Sequence, residues 1–311
     1  MIIPTLNRDD VLEQTLKDLL AQKGDVSYEI LVVDQNPEPV VTRHNGLAKL
    51  LDDPRIRWID CIGIGNVVYA RNLACSQARG DLLVFVDDDV RIKDFVFLRK
   101  HMNAHAKGSQ DISAVCGREI NLGGADYVET LSYERTSPIE DILFFPRNYR
   151  RITEACVLST CNCSITRTAF IAVAGFDERF RGASYGDDSD LALRLVERGY
   201  RIIYDPAPVL LHLMWPMGGL RLSDKVQRYR ERDKYIASLL FYYKHISTDN
   251  RNYRWYYIKN YILRKSFLLR RNVVNPWRLP LVVVGLIIAR KVVRKAIHSG
   301  HQFTFSGTRT R

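Results

Sequence analysis

Asp87, Asp88 and Asp89 stand in a row directly after the apolar run Val84-Phe85-Val86. Three adjacent carboxylates repel one another and resist burial, so a site that holds them needs a compensating cation. Hard divalent ions prefer oxygen ligands, which makes such an ion the natural counter-charge. On an extended chain Asp87 and Asp89 face one side and Asp88 the other. The same run also reads as an acidic turn capping a following helix, since Asp is a common N-cap.

The elements that would position these carboxylates alternate along the first hundred residues. Residues 30–33 and 82–86 read as buried strands, 55–60 as a weaker third, and 1–4 as the end of a strand already under way. Residues 9–21 have helical periodicity, with Val11, Leu12, Leu16, Leu19 and Leu20 on one face. Residues 66–79 read as a second helix closing at Gly80. Continuous apolar strands separated by helices imply a parallel sheet covered on both faces. In such sheets ligands bind at the carboxyl ends of strands. Asp34 ends one strand and Asp87–Asp89 end another, so both acidic sites fall on one edge, which favours a ligand site over a helix cap. Residues 115–166 are less regular. Further on, 187–198 reads as a helix stopped by Gly199, 201–204 and 208–213 as two short strands, and 223–245 as a long helix. Two helix-like segments follow, with a break near Asn275-Pro276.

At 311 residues and 46% hydrophobic, the chain can bury the core of one large domain or two small ones. Its formal net charge of +11 is uneven: beyond Ser247, Asp249 is the only acidic side chain. The six cysteines form no CxxC pair, and Cys161-Asn162-Cys163 has the wrong spacing for a zinc knuckle. They read as reduced and buried, which with no visible signal peptide points to the cytosol.

Five pieces in order make the chain resemble a family 2 glycosyltransferase of the inverting, nucleotide-sugar-dependent, GT-A type. They are Ile2-Ile3-Pro4-Thr5-Leu6-Asn7-Arg8, Leu31-Val32-Val33-Asp34, Ala70-Arg71-Asn72, Val86-Asp87-Asp88-Asp89, and Gly175-Phe176-Asp177-Glu178 leading into Gly186-Asp187-Asp188-Ser189-Asp190-Leu191. The resemblance covers residues 2–220. It implies a Rossmann-like α/β fold with a mostly parallel sheet and helices on both faces. It further implies that Asp89 is the direct metal ligand and that Asp87 or Asp88 positions the ribose and donor sugar. Mn²⁺ or Mg²⁺ fits oxygen-only coordination. Pro4 falls in the donor-binding set, Asp34 takes the place that recognises the nucleobase, and Arg71 that of a partner for the diphosphate or base. An inverting transfer needs a base that deprotonates the acceptor hydroxyl, and Asp188 aligns with it. Asp190 supports the turn. His212, after an apolar strand, has a place close to the metal or diphosphate. Trp215, followed by Gly218-Gly219, belongs to a loop over the donor. Asn162 matches a segment lining the acceptor side. Structural alternatives stand beside these: a solvated helix arginine for Arg71, a satisfied strand-end histidine for His212, and acids complementing a helix dipole for Asp187 and Asp188.

These readings divide the chain into a catalytic domain, 1–220, and a basic, aromatic-rich helical extension, 221–311. The apolar run 280–289 is too short to span a bilayer, but Trp277 before it and Arg290, Lys291, Arg294 and Lys295 after it resemble an interface anchor. Tyr253, Trp255, Tyr256, Tyr257 and Tyr261 interleave with Arg251, Arg254, Lys259, Arg264 and Lys265. Peripheral membrane contact through 251–298, at the inner face of the plasma membrane, is one reading. A helix pair packed on the catalytic domain is another. RNA binding is not expected, since no nucleic-acid module is present. The expected activity is metal-dependent transfer from a nucleotide-sugar donor to a glycan or lipid-linked glycan acceptor, in bacterial cell-surface polysaccharide assembly. A non-catalytic sugar-nucleotide or membrane-binding scaffold on the same fold is the alternative.

Overall fold

The structure, a computed structural model, describes residues 1–63, 65–107, 112–180, 186–219, 236–247, 253–263, 269–270, 273–274 and 276–298. Among these, nine strands join one sheet: β1 Ile2–Thr5, β2 Ile30–Asp34, β3 Ile56–Asp60, β4 Leu82–Val86, β5 Val90–Arg91, β6 Ile112–Asn121, β7 Thr153–Glu154, β8 Asn162–Thr166 and β9 Arg201–His212. Their order is β3-β2-β1-β4-β8-β6-β9-β5, with β7 against β9. Strands β1 to β4 pair in parallel, β8 enters antiparallel between β4 and β6, and β6 runs parallel to β9.

The apolar strands are continuous because both faces are covered. Along β2, Leu31 and Val33 face a core with Val68, Ala74, Phe170, Phe176 and Leu191. Ile30 and Val32 face the opposite core with Leu12, Leu16, Leu19 and Phe97. This is the period-2 alternation of a sheet with helices on each side. β1 and β2 end level, with Thr5 opposite Asp34. Helix Asp9–Leu20 follows β1, and helix Val67–Gln77 precedes β4, its first amides Val68 and Tyr69 capped by Asn66. That helix stops short of Gly80, since Ala78 is already extended. Helix Asp187–Glu197 opens at Gly186 (φ 93°) and ends before Gly199 (φ 80°), a left-handed stop.

Two expectations are corrected. The two short strands expected over 201–213 are one strand, β9; its Pro206 and Pro208 fall where the register with β6 shifts, a bulge that needs no ladder N–H from them. The irregular stretch from 115 opens with most of the ten-residue strand β6. The expected helix over 223–245 lies outside the described residues up to 235; residues 236–246 are helical.

The first core does not stop at β9. Ala237, Leu240, Phe241, Ile246, Tyr257 and Ile262 belong to it, and Tyr257 stacks on Tyr261 at 4.7 Å. The Tyr253 hydroxyl donates to Glu140 and the Tyr261 hydroxyl to the Leu143 carbonyl. These three tyrosines therefore pack at the edge of the first core, while Trp255 stays exposed. Arg251, Arg264, Lys265 and Asn275 lie outside the described residues. In the last helix, Leu279–His298, Leu286 touches the core. Val283, Val284 and Ile287 are exposed, followed by exposed Arg290, Lys291, Arg294 and Lys295. No helix among the described residues is long and apolar enough to cross a membrane.

Candidate active site

The open cleft at the carboxyl ends of β1 and β4 is lined by Pro4, Thr5, Arg8, Gln35, Arg71, Asp87, Asp88, Asp89, His212 and Gly219, among others. The alternation expected for the three aspartates does not hold, because β4 ends at Val86 and the chain bends over 88–89. The Thr15 hydroxyl fixes the bend, taking the Val90 N–H at 3.3 Å and lying 2.9 Å from the Asp88 carbonyl. Asp88 and Asp89 thereby share one partner, Arg8, whose Nη1 stands 2.7 Å from Asp88 Oδ1 and 3.1 Å from Asp89 Oδ1. Asp88 also accepts from the Thr5 hydroxyl at 2.8 Å. Asp87 faces Arg71 instead, at 3.5 Å.

Arg71 joins the two acidic clusters. Its Nη1 donates to Asp187 Oδ2 at 3.0 Å while its Nη2 faces Asp87. Asn72, next in the helix, clamps the Gly175-Phe176-Asp177-Glu178 segment: it donates to the Phe176 carbonyl at 2.9 Å, accepts the Phe176 N–H at 3.0 Å and reaches Glu178. Pieces a hundred residues apart in sequence thus meet through one dipeptide. Asp188 accepts from the Thr160 N–H through Oδ2, and its buried Oδ1 has no hydrogen-bond partner among the described residues. Asp190 is an anchor: fully buried, it pairs with Arg194, Lys244 and His245. Burial would raise its pKa, but Arg194, Lys244 and the hydrogen bond with His245 hold it far below the ordinary carboxylate value.

Burial dominates the electrostatics of the cleft. It pushes Asp88 up to about 6 against the pull of Arg8, and raises Asp87 and Asp187 as well. Asp89 departs from this pattern: burial would raise it, but His212 and Arg8 hold it below its usual value. His212 is held above its ordinary pKa by Asp89, Asp87 and Glu119, overcoming burial.

The residues fit a hard divalent cation. Asp89 Oδ2 accepts the Trp215 N–H at 2.9 Å. Its buried Oδ1 takes no hydrogen bond among the described residues and faces His212 Nε2 at 3.3 Å. Asp87, His212 and Cys161 bring ligand atoms within 4.8 Å of one another. Burial raises the Cys161 pKa well above the ordinary thiol value, so this soft sulfur stays protonated and oxygen and imidazole donors remain.

Asp34, the expected reader of the nucleobase, is engaged within the chain: its Oδ1 accepts from the Asn36 N–H and side-chain amide, its Oδ2 from Arg43 and Trp58. Gln35, beside it, lines the cleft instead. Asn162 is fully buried and bonded to His101 and to the carbonyls of Arg118 and Pro208, so it braces β8 rather than lining an acceptor surface. Two residues carried no assignment from sequence. Arg8 stood inside a quoted motif without a role, and Glu119 gave no signal, being a buried carboxyl within a strand whose pKa burial raises to about 7.

A family model described as glycosyl transferase family 2 matches residues 1–173. The O-antigen biosynthesis protein RfbC of Myxococcus xanthus is 27% identical over 228 residues, 68% of this chain and 17% of that protein. The uncharacterized glycosyltransferase YfnE of Bacillus subtilis is 31% identical over 122 residues, 38% of this chain and 29% of that protein. The chain thus spans less than a third of the length of these relatives. Among solved structures, the mannosyltransferase PcManGT from Pyrobaculum calidifontis, in complex with GDP-Man and Mn²⁺, aligns with TM-score 0.53 at 18% identity, covering 96% of this chain and 78% of that one. Residues 1–349 of S. aureus TarS in complex with UDP align with TM-score 0.50 at 15% identity, covering 97% of this chain and 92% of that one. The shared fold is the GT-A α/β fold.

Proposed function

We propose that this chain, which belongs to glycosyl transferase family 2, transfers a sugar with inversion from a nucleotide-sugar donor to a hydroxyl of a glycan or lipid-linked glycan, in cell-surface polysaccharide assembly. One observation carries the reading: Arg71 ties Asp87, at the donor cleft, to Asp187, the immediate neighbour of Asp188. This bridge supports reading Asp188 as the proton acceptor of the same site in which Asp87 meets the donor.

In this reading Asp188 Oδ1 takes the proton of the acceptor hydroxyl as its oxygen bonds to the anomeric carbon and the bond to the diphosphate breaks. Arg71 lies where the departing negative charge develops. Thr5 and Arg8 hold Asp88 so that it can face the ribose and donor sugar. Trp215, 41% exposed, would offer an aromatic face to the donor sugar. Asp89 with His212 and Asp87 would hold Mn²⁺ or Mg²⁺, which when bound neutralises the leaving diphosphate. The bacterial polysaccharide role is supported by the name of the M. xanthus relative, an O-antigen biosynthesis protein. The exposed apolar turns and basic end of the last helix support peripheral contact with an anionic membrane.

The test is release of nucleoside diphosphate from a panel of nucleotide sugars, with Mn²⁺, with Mg²⁺ and with chelator. Metal-dependent release from at least one donor is expected. Donor binding without turnover under every condition would favour the scaffold reading.

A further inference from the structure

We propose that Arg8 is both the resident counter-ion of the metal site and the latch of residues 213–219, so that a divalent cation at Asp89 and the latched loop exclude each other. The inference rests on the metal reading above and adds to it a role for the loop.

The guanidinium of Arg8 is shared between the two structures it would couple. Its Nη1 stands on Asp88 Oδ1 and Asp89 Oδ1, at 2.7 and 3.1 Å. From the same planar group Nε donates to the Met217 carbonyl at 3.0 Å and Nη2 to the Trp215 carbonyl at 3.4 Å. The rigid fork makes these contacts move together. The loop is drawn onto this arginine and its neighbours. The Gly219 N–H donates to the Leu6 carbonyl at 2.6 Å. A side chain at Gly218 (φ +70°) would put its Cβ 2.2 Å from the Asn7 carbonyl oxygen, and one at Gly219 (φ +54°) would stand 2.9 Å from Arg8 Cζ. Only glycine permits both the approach and the backbone conformation.

The competition follows from the oxygen inventory of Asp89. Its Oδ2 is engaged by the Trp215 N–H, which leaves Oδ1 for a cation. An Mg²⁺ ion binds carboxylate oxygen at about 2.1 Å. With Arg8 Nη1 3.1 Å from that oxygen, ion and guanidinium lie at most about 5 Å apart, two like charges on one buried carboxylate. The ion's arrival weakens the hold of Asp89 on Arg8, and Arg8 carries the Met217 and Trp215 carbonyls with it. Because binding linkage is reciprocal, loosening the loop must strengthen metal binding to the same degree.

The experiment uses the full chain. Mn²⁺ binding is titrated by calorimetry, and amide exchange over residues 213–219 is followed by mass spectrometry with and without Mn²⁺. In the wild-type protein Mn²⁺ should speed exchange in this segment several-fold. Arg8→Gln should bind Mn²⁺ on the order of tenfold tighter, with a fast-exchanging loop that no longer responds to the ion. Arg8→Lys keeps the charge without the fork, so its loop should exchange fast and its Mn²⁺ binding should tighten, by less than in Arg8→Gln, where the charge is lost as well. Gly218→Ala, which moves the loop without touching a charge, should tighten Mn²⁺ binding by a smaller factor. Unchanged Mn²⁺ affinity in Arg8→Gln, or a wild-type loop that exchanges more slowly with the ion bound, overturns the latch. Asp89→Ala separates this from failure of the metal site itself: undiminished Mn²⁺ binding there would mean that the ion sits elsewhere, and both readings fall.

Discussion

Replacing Glu119 with glutamine should stabilise the protein at neutral pH and above, and leave it nearly unchanged in mild acid. Glu119 lies on β6, is only 8% exposed, and its Oε1 has no hydrogen-bond partner among the described residues. Burial lifts its pKa from the ordinary 4.5 to about 7, although Arg147 and Ser159 favour the ionised form. The folded state therefore binds this proton more tightly than the unfolded chain does. The stability this contributes is whole below about pH 4.5 and is lost as pH rises through about 7. The displacement corresponds to about 3 kcal/mol. Glutamine keeps the size and cannot ionise, so it removes that loss. Urea denaturation near pH 4.5 should show the two proteins within about 1 kcal/mol of each other, while near pH 8 the variant should be more stable by about 2–3 kcal/mol. Asp88 and Asp187 shift in the same direction but are common to both proteins and cancel in the comparison. Parallel stability curves across this pH range would refute the reasoning, because they would mean that Glu119 ionises in the fold as readily as in water.

Asp188→Asn keeps shape and hydrogen bonding but removes basicity, so donor binding should stay within a few-fold while turnover falls roughly 10²-fold or more; a larger loss from Asp190→Asn in the same assay would move the base to Asp190. Asp89→Ala should abolish metal-dependent transfer in a protein whose circular dichroism is unchanged, and near-normal turnover would remove Asp89 from the metal site. Asp190→Ala leaves Lys244 and His245 without their buried partner and should cost about 3–5 kcal/mol in urea denaturation. Deleting residues 275–311 should weaken pelleting with anionic vesicles and leave donor binding intact, each basic residue near the surface contributing on the order of 1 kcal/mol.

What was legible in the sequence was whatever local pattern fixes alone. Apolar strands ending in carboxylates gave the sheet and its ligand-binding edge, because buried parallel strands must be continuous and their ends face solvent. The bend after Val86 was not legible: it depends on the Thr15 hydroxyl, seventy-odd residues away in sequence, and it decides that Asp88 and Asp89 share Arg8 while Asp87 turns to Arg71. The partners of Asp34 were not legible for a related reason. Its place at the end of β2 was readable, but the donors that fill it come from Arg43 and Trp58 as well as from neighbouring Asn36. Asn162 shows the same limit, since β8 presents each residue to one face or the other and sequence does not number the faces.

The extension beyond β9 contributes to the site through Asp190. Lys244 and His245 reach that carboxylate from residues 236–247, and Lys244 also pairs with Asp177 at 2.9 Å. Both acidic partners sit in segments tied to Arg71-Asn72 or Asp188: Asp177 in the segment clamped by Asn72, Asp190 in the first turn of the helix that carries Asp188. Phe241 closes the same end, so close to Gly186 that a Cβ there would stand 3.1 Å from its ring. Residues 236–247 thus pack on the first turn of the helix that carries Asp188. The last helix touches this core through Leu286. A truncation that removes only the last helix and one that reaches Lys244 should accordingly differ in kind: the first should weaken vesicle pelleting alone, the second should loosen the turn that carries Asp188.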